Sequence, residues 1–237
     1  MDTTVWIILI VSGLLFTAFL IGIAFVGKSI AREQQKRPRE YLDSPRKYPD
    51  KGEWGEQYIA SLLEQRCTTE HDRVINGAIM YDPRRAMSSE IDHILICSSC
   101  VYVIETKNLG GDIYGSDEEQ TWRQCLADGE IVHTLHSPVK QNDTHIFLIR
   151  GILRSARLGN VPVHGFVVFV EGNTRYIQSK YVCTPFELHR MLAEAPPAIS
   201  PAVQDRIYQT LYDHIKRYPI TKEQHVAAVR TLHTDDQ

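Results

Sequence analysis

The stretch EIDHILICSSCVYVIETK, residues 90–107, holds two apolar runs separated only by Ser98 and Ser99. Short runs rich in Ile and Val, bounded by polar residues, read as strands, and so close a spacing joins them as a β-hairpin. The second run does not end as a buried strand should. Val101, Val103 and Ile104 suit a sheet interior, yet Glu105 and Lys107 follow. Side chains alternate across a strand, so these two charges share a face. Charge at the end of a core strand is costly unless it is paired, solvated or in use.

A turn on Ser98-Ser99 sets Cys97 opposite Cys100. Counting back along both strands then places Asp92 opposite Glu105 and Glu90 opposite Lys107. Opposed residues share a face, with Cβ atoms about 4.5–5.5 Å apart. Two carboxylates that close repel, and need a proton, a cation or a metal between them. Mg²⁺ takes one or two carboxylates and completes its octahedron with water, so Asp92 and Glu105 are candidate ligands. Lys107 beside them would orient a water or neutralise charge on a phosphate. Plainer readings stand alongside: a strand-end ion pair between Glu105 and Lys107, or a Glu90–Lys107 cross-strand pair worth about 0.2–1 kcal/mol.

Outward from the hairpin, KGEWGEQYIASLLEQ (51–65) carries Trp54, Tyr58, Ile59, Leu62 and Leu63 at helical spacing, with Gly52 and Gly55 positioned to allow a close helix–sheet approach. RVINGAIM (73–80) predicts a strand, GGDIYGS a short turn and strand, and Trp122 lies on the next element. PVKQNDTHIFLIRGILRSAR (138–157) predicts a helix opened by Pro138. VHGFVVFV (163–170) predicts a buried strand. Helical patterns then run near 185–194, 199–217 and 221–232. This order suggests an α/β arrangement, a mixed sheet flanked by helices.

His93 follows Asp92 and so points to the opposite face, as a buried hydrogen-bonded side chain. Five cysteines at irregular spacing do not form a secreted disulfide framework, which points to a reducing compartment. Cys97-Ser98-Ser99-Cys100 has no second pair to make a zinc site. The chain of 237 residues is 43% hydrophobic with net charge −3, so no global basic field announces nucleic acid and any such contact needs a local patch.

Residues 5–26, VWIILIVSGLLFTAFLIGIAFV, carry no charge and are long enough to span a hydrocarbon core of about 30 Å. The start is acidic (Asp2), whereas Lys28, Arg32, Lys36, Arg37 and Arg39 follow the run. That pattern predicts a permanent transmembrane anchor over 1–27 rather than a cleaved signal, with the C-terminal side cytoplasmic. Residues 28–50, with Pro38, Pro45 and Pro49, predict a juxtamembrane linker.

EID followed by ETK resembles the D…(D/E)xK signature of the PD-(D/E)XK nuclease superfamily. GEWGE, EIDHILI, VYVIETKNLGGDIYG, Trp122 and SPVKQN, in that order, narrow the resemblance to the NERD (nuclease-related) domain. It covers about residues 51–154, and the domain is taken as 51–170, followed by a mainly helical region, 171–237. The resemblance implies a restriction-endonuclease-like fold, with Asp92 and Glu105 as metal carboxylates and Lys107 as the catalytic lysine. It also assigns Glu56 to the helix glutamate that often completes such a site, and Gln141 to a glutamine on the later helix. Read from the residues alone, Glu56 can serve the helix dipole, Glu53 lies near the same face, and Gln141 can be a surface residue. Thr106 stands where a small aliphatic residue is usual.

The expected function is a membrane-anchored nuclease using Mg²⁺ or Mn²⁺ on nucleic acid, DNA first, with Arg84, Arg85, Lys107, Lys140 and Arg154 as phosphate contacts. The alternative is a non-catalytic nuclease-fold module that binds nucleic acid or a partner protein at the membrane. Topology is directly testable. Protease added to intact cells is expected to leave everything after Lys28 uncut, and digestion from outside would contradict a cytoplasmic domain.

Overall fold

Asp50 caps the first described helix: its carboxylate accepts the Gly52 amide at 2.8 Å, one of the donors a helix start leaves unmet. The computed structural model describes residues 50–126 and 129–234, with side chains to residue 229. The expected anchor over 1–27 and, apart from Asp50, the linker over 28–50 lie outside these residues. Among the described residues no helix is long and apolar enough to cross a membrane.

Helix α1 (Lys51–Arg66) is followed by strands β1 (Arg73–Asp82), β2 (Met87–Ile96), β3 (Val101–Ser116), β4 (Thr121–Leu126) and β5 (Ile131–His136). Helix α2 (Pro138–Ser155), β6 (Val163–Gln178) and β7 (Val182–Cys183) come next, then helices α3 (Pro185–Glu194), α4 (Pro201–Arg217) and α5 (Lys222–Thr234). The strands form one mixed sheet of seven. β1 to β5 lie side by side in chain order as antiparallel neighbours, while β6 runs parallel to β3 and β7 parallel to β6.

β3 is the axis of the sheet. One edge pairs with β6 from Val101 to Ser116. The other pairs with β2 only as far as Ile104, opposite His93, and takes up β4 at Asp112. The hairpin register is the one its two-serine turn implies, with Ile96 opposite Val101 and Leu95 opposite Tyr102. Beyond Ile104 the two strands part. The glycine-containing segment after Lys107 is not a separate turn and strand as expected; β3 continues through it with register shifts. Gly111 takes a φ of +79°, open to glycine at little cost, and a Cβ there would lie 2.3 Å from the Cys125 carbonyl oxygen. Gly115 lies under the indole of Trp122, whose Nε1 donates to the Ser116 carbonyl at 3.0 Å.

Alternation along β3 builds a core on each face. Val101 and Val103 join Ile94, Ile96, Leu148, Ile149, Ile152, Ile207 and Leu211 under α2 and α4. Tyr102 and Ile104 join Ile59, Leu63, Leu95, Val168, Leu188 and Leu192 under α1 and α3. Residue 170 falls inside β6, and α3 and α4 bury Leu188, Leu192, Ile207 and Leu211 in these cores. Each such side chain contributes about 1.5–3 kcal/mol relative to exposure.

Gly55 allows α1 to lie close against β3. A Cβ there would stand 2.7 Å from the Asn108 Cβ, whose amide is itself held by the Lys51 carbonyl at 2.7 Å. Gly52 meets only the Asp50 carboxylate, at 3.4 Å, so the packing role expected of both glycines belongs to Gly55. Accordingly, Gly55→Ala is expected to cost about 1–3 kcal/mol through overpacking. Gly52→Ala should be neutral or slightly stabilising. Urea denaturation of both variants checks the contrast.

Candidate active site

Where β2 and β3 part, a side chain takes over from the ladder. Thr106 N, just past the last β2–β3 pair, donates to Asp92 Oδ2 at 2.7 Å. On the other face of the sheet, Thr106 Oγ1 meets His93 Nε2 at 3.1 Å, and His93 Nδ1 meets Asn76 Oδ1 at 2.8 Å. Burial pushes His93 down to about 4, so it is the neutral structural residue its position implied.

Glu105 is 1% exposed. Its Oε1 accepts Lys107 Nζ at 2.6 Å, while its Oε2 is buried without a hydrogen-bond partner. Burial raises its carboxyl to about 7, and the Asp92 charge adds to that against the opposing pull of Lys107. Glu56 reaches the same charges from α1 and is raised to about 7, first by burial and then by Asp92. Burial raises Asp92 as well, against the stabilising Thr106 amide. The carboxylates thus gather at the opening in the ladder, each made harder to ionise by the loss of water and by the others.

The SPVKQN segment explains itself in space. Ser137 caps α2 by accepting the Lys140 amide, Pro138 occupies the first turn, and Val139 enters the core beside Trp122. Gln141 Oε1 accepts Lys107 Nζ at 3.2 Å. Asn142 Nδ2 donates to the carbonyls of Val103 (3.1 Å) and Phe166 (3.2 Å), tying the helix start across β3 and β6. Gly165 makes room for this, since a Cβ there would stand 2.7 Å from Asn142 Nδ2.

Three residues went unread in the sequence. His145, one turn beyond Gln141, turns Nδ1 toward Glu105 Oε2 at 3.5 Å, too long for a settled hydrogen bond. Burial, then the nearby Lys107, hold its ring down at about 4, so this contact joins a neutral imidazole to the acid. The four-residue spacing from Gln141 was the available signal. Lys222 and His225 come from α5, where no motif pointed to them. Lys222 Nζ pairs with Glu90 Oε1 at 2.9 Å, and His225 Nδ1 meets Ser88 Oγ at 2.8 Å. Glu90 therefore pairs with Lys222 rather than with Lys107 opposite it, because the β2–β3 ladder ends before reaching them.

Among the described residues no three or more His, Cys, Asp and Glu side chains form a group able to hold a metal by themselves. A metal here would rest on one or two carboxylates and water, the usual manner of Mg²⁺. Of the expected phosphate contacts, Arg84 and Arg85 sit over the exposed ring of Phe147 on α2, 5.2 and 4.8 Å from its centre. Arg84 is also paired with Asp82 at 3.1 Å. Arg154 stands in the last turn of α2, about 20 Å along the axis from Gln141, and is not brought to the site.

Residues 51–170 match the profile of NERD, the nuclease-related domain. The chain belongs to the NERD family. The parted strands, both halves of the EID…ETK signature and the glutamine on α2 all fall within the matched residues. A curated relative, an uncharacterized protein of Bacillus anthracis, is 30% identical over 103 residues, which are 44% of this chain and 47% of the relative. The chain thus spans about half the length of that relative. No solved structure matches the chain.

The raised carboxyls make the metal-free NERD domain pH-sensitive. With folded values near 7 for Glu56 and Glu105 against ordinary values of 4.5, the folded state holds protons that the unfolded chain releases. Their stabilisation is fully present below about 4.5 and is lost as pH rises through about 7. Without divalent metal, the urea midpoint of the wild type is expected to fall over that window. Glu105→Gln, which cannot ionise, should show a flatter profile and be the more stable protein at pH 8.

Proposed function

We propose that this NERD protein is a metal-dependent nuclease hydrolysing phosphodiester bonds of nucleic acid, DNA first, held at the cytoplasmic face of a membrane by residues 1–27. The observation that carries the reading is Glu105 Oε2, a buried acid oxygen with no hydrogen-bond partner, electrostatically coupled to Asp92. Burying such a group costs stability unless something binds it. Hard oxygen donors that repel one another fit a Mg²⁺ or Mn²⁺ ion, with Asp92 and Glu105 as ligands and Glu56 reaching it directly or through water. Bound there, the ion would supply Lewis acidity toward the phosphodiester and offset its developing negative charge.

Lys107 does the rest from the same strand face. An ammonium has three donors, and Glu105 and Gln141 take two, leaving one for a water or a phosphoryl oxygen. Glu105 and Gln141 therefore act as the two stays that aim it. Neutral His145 turns its Nδ1 toward Oε2 at 3.5 Å from the α2 side. In hydrolysis a water oxygen bonds to phosphorus while the bond to the leaving oxygen breaks. The water's proton passes to solvent or a neighbouring base, and the leaving oxygen takes up another. Lys107 is placed to stabilise charge at that step. Arg84 and Arg85 with exposed Phe147 offer a cationic and aromatic surface for the phosphate backbone and bases.

The test separates chemistry from binding. Lys107→Ala and Glu105→Gln are expected to reduce cleavage of DNA or RNA at least a hundredfold, on the order of a lost transition-state charge contact. Affinity should change little, because one phosphate contact is a small part of a multi-contact footprint. Rate and affinity are compared at fixed salt with Mn²⁺ present. Equal background cleavage by wild type and variants on every substrate would replace the enzyme with a nuclease-fold binding module.

A further inference from the structure

The far half of β3, past its glycines, belongs to a part of the sheet whose core lies on one face only. Register across four strands sorts the residues. Leu135 opposes Trp122 and Gly115 opposes Ile177, and these side chains turn into the core that holds Ile113 and Phe169. The next row, Thr134, Arg123, Tyr114 and Tyr176, runs side by side from β5 to β6 on the other face. Val132, Cys125, Asp112 and Asn173 form the row beside it. None of these eight residues is buried.

A sheet face turned to water is ordinarily polar. This one carries two tyrosine rings, Tyr114 and Tyr176, stacked with centres 4.6 Å apart and planes 11° from parallel. A guanidinium lies over each ring: Arg123 is 5.8 Å from the centre of Tyr114, and Arg175 is 4.6 Å from that of Tyr176. Arg175 owes its place to a register shift. β3 has one residue between Asp112 and Tyr114, whereas β6 has two between their partners Asn173 and Tyr176. An extra residue breaks alternation and re-aims a side chain. Arg175 can therefore reach over its own neighbour, and it donates to the Tyr176 hydroxyl at 2.5 Å. Neither guanidinium forms an ion pair among the described residues. Asp112, the acid in these rows, accepts from Asn173 Nδ2 at 2.8 Å instead.

We propose that this face, built on Arg123, Tyr114, Tyr176 and Arg175, binds single-stranded nucleic acid, with bases stacked on the tyrosine rings and phosphates held by the two guanidiniums. This rests on the nucleic-acid reading above and adds to it the strandedness of the substrate. Aromatic rings accept any base, because every base has a flat face, and cations without carboxylate partners remain free for the backbone. A guanidinium over a ring in open water is held weakly. A base can take its place, and the released cation then turns to a phosphate. A duplex keeps its bases stacked on one another and offers no such faces. With a net charge of −3, the chain needs a local surface of this kind to hold a polyanion. β3 carries both Lys107 and Tyr114, about 20 Å apart along the strand. The surface lies apart from the opening between β2 and β3, so its residues bind and do not take part in hydrolysis. Arg175 and Tyr176 also lie beyond the residues that match the family.

Fluorescence anisotropy of the full chain with a labelled oligothymidylate, and with a duplex of the same length, tests this in EDTA, where metal-dependent cleavage is stopped. The wild type is expected to bind the single strand more tightly than the duplex. Tyr114→Leu/Tyr176→Leu should weaken single-strand binding at least about fivefold, the loss of one stacked base. Tyr114→Phe/Tyr176→Phe keeps the rings and should keep the affinity. Arg123→Gln/Arg175→Gln should lower the slope of log affinity against log salt by about 1.4, for two lost phosphate contacts. A merely structural cluster would lower the urea midpoint of the leucine variant and leave affinity and salt slope unchanged, which overturns the proposal. A wild type that prefers the duplex, or binds neither, overturns it too. Cleavage with Mn²⁺ is scored separately. If the wild type cuts and the variants bind the single strand as it does, this inference falls and the nuclease reading stands. If nothing is cut and the variants still lose affinity, the nuclease reading falls and the surface stands as that of a binding module.

Discussion

The bond from Thr106 N to Asp92 Oδ2 decides what the rest of this structure can be. A β-ladder that ran on past His93 and Ile104 would bury β3 between two neighbours and leave no room for water, metal or substrate. Here a carboxylate receives a main-chain donor just past the last strand pair, so β2 can turn away without orphaning that amide. The bond also holds Asp92 in place with one oxygen occupied. An opening in a sheet and an oriented acid are thus one event, and just beyond it Lys107 is bonded to Glu105 and Gln141.

Around it the domain tolerates local frustration that a purely structural sheet would have removed. Glu105 is buried with half its carboxylate unmet, Glu56 and Asp92 stand within each other's field, and His145 is too dry to carry a charge in their defence. The cost is borne by two cores, one on each face, built from the alternating residues of β3. Trp122, stacked on Phe169 and roofing Gly115, holds the far half of β3 against the same sheet. The charged segment is therefore clamped from both ends, which keeps repulsion among its acids from spreading the strands.

Much of this is legible in the sequence. The two-serine turn gave the hairpin register, which holds down to Ile104, and alternation correctly sent His93 and Thr106 to one face and Glu105 and Lys107 to the other. Gln141 was singled out only through the family resemblance; the structure shows why SPVKQN brings it there, with a cap, a first-turn proline, a core residue and a sheet clamp around it. What escaped notice was non-local. The end of the ladder cannot be counted from strand residues, since it depends on a side chain replacing a backbone partner, and so Glu90 was matched with the wrong lysine. In β5 the apolar residues Ile131, Val132 and Leu135 follow no period of two, so no half-buried strand could be read there. Lys222 arrives from a helix whose approach to β2 depends on tertiary packing alone.

Two side chains that build the site, Asp92 and Asn142, bond main-chain atoms: Thr106 N in one case, the carbonyls of Val103 and Phe166 in the other. Those amides and carbonyls are present whatever residues flank them. The site is thus surveyed from the polypeptide's own frame, and the apolar side chains between its landmarks serve as ballast that can be exchanged for others of similar bulk. Such a construction lets a lineage rewrite most of a domain while the coordinates of a handful of atoms stay where chemistry requires them.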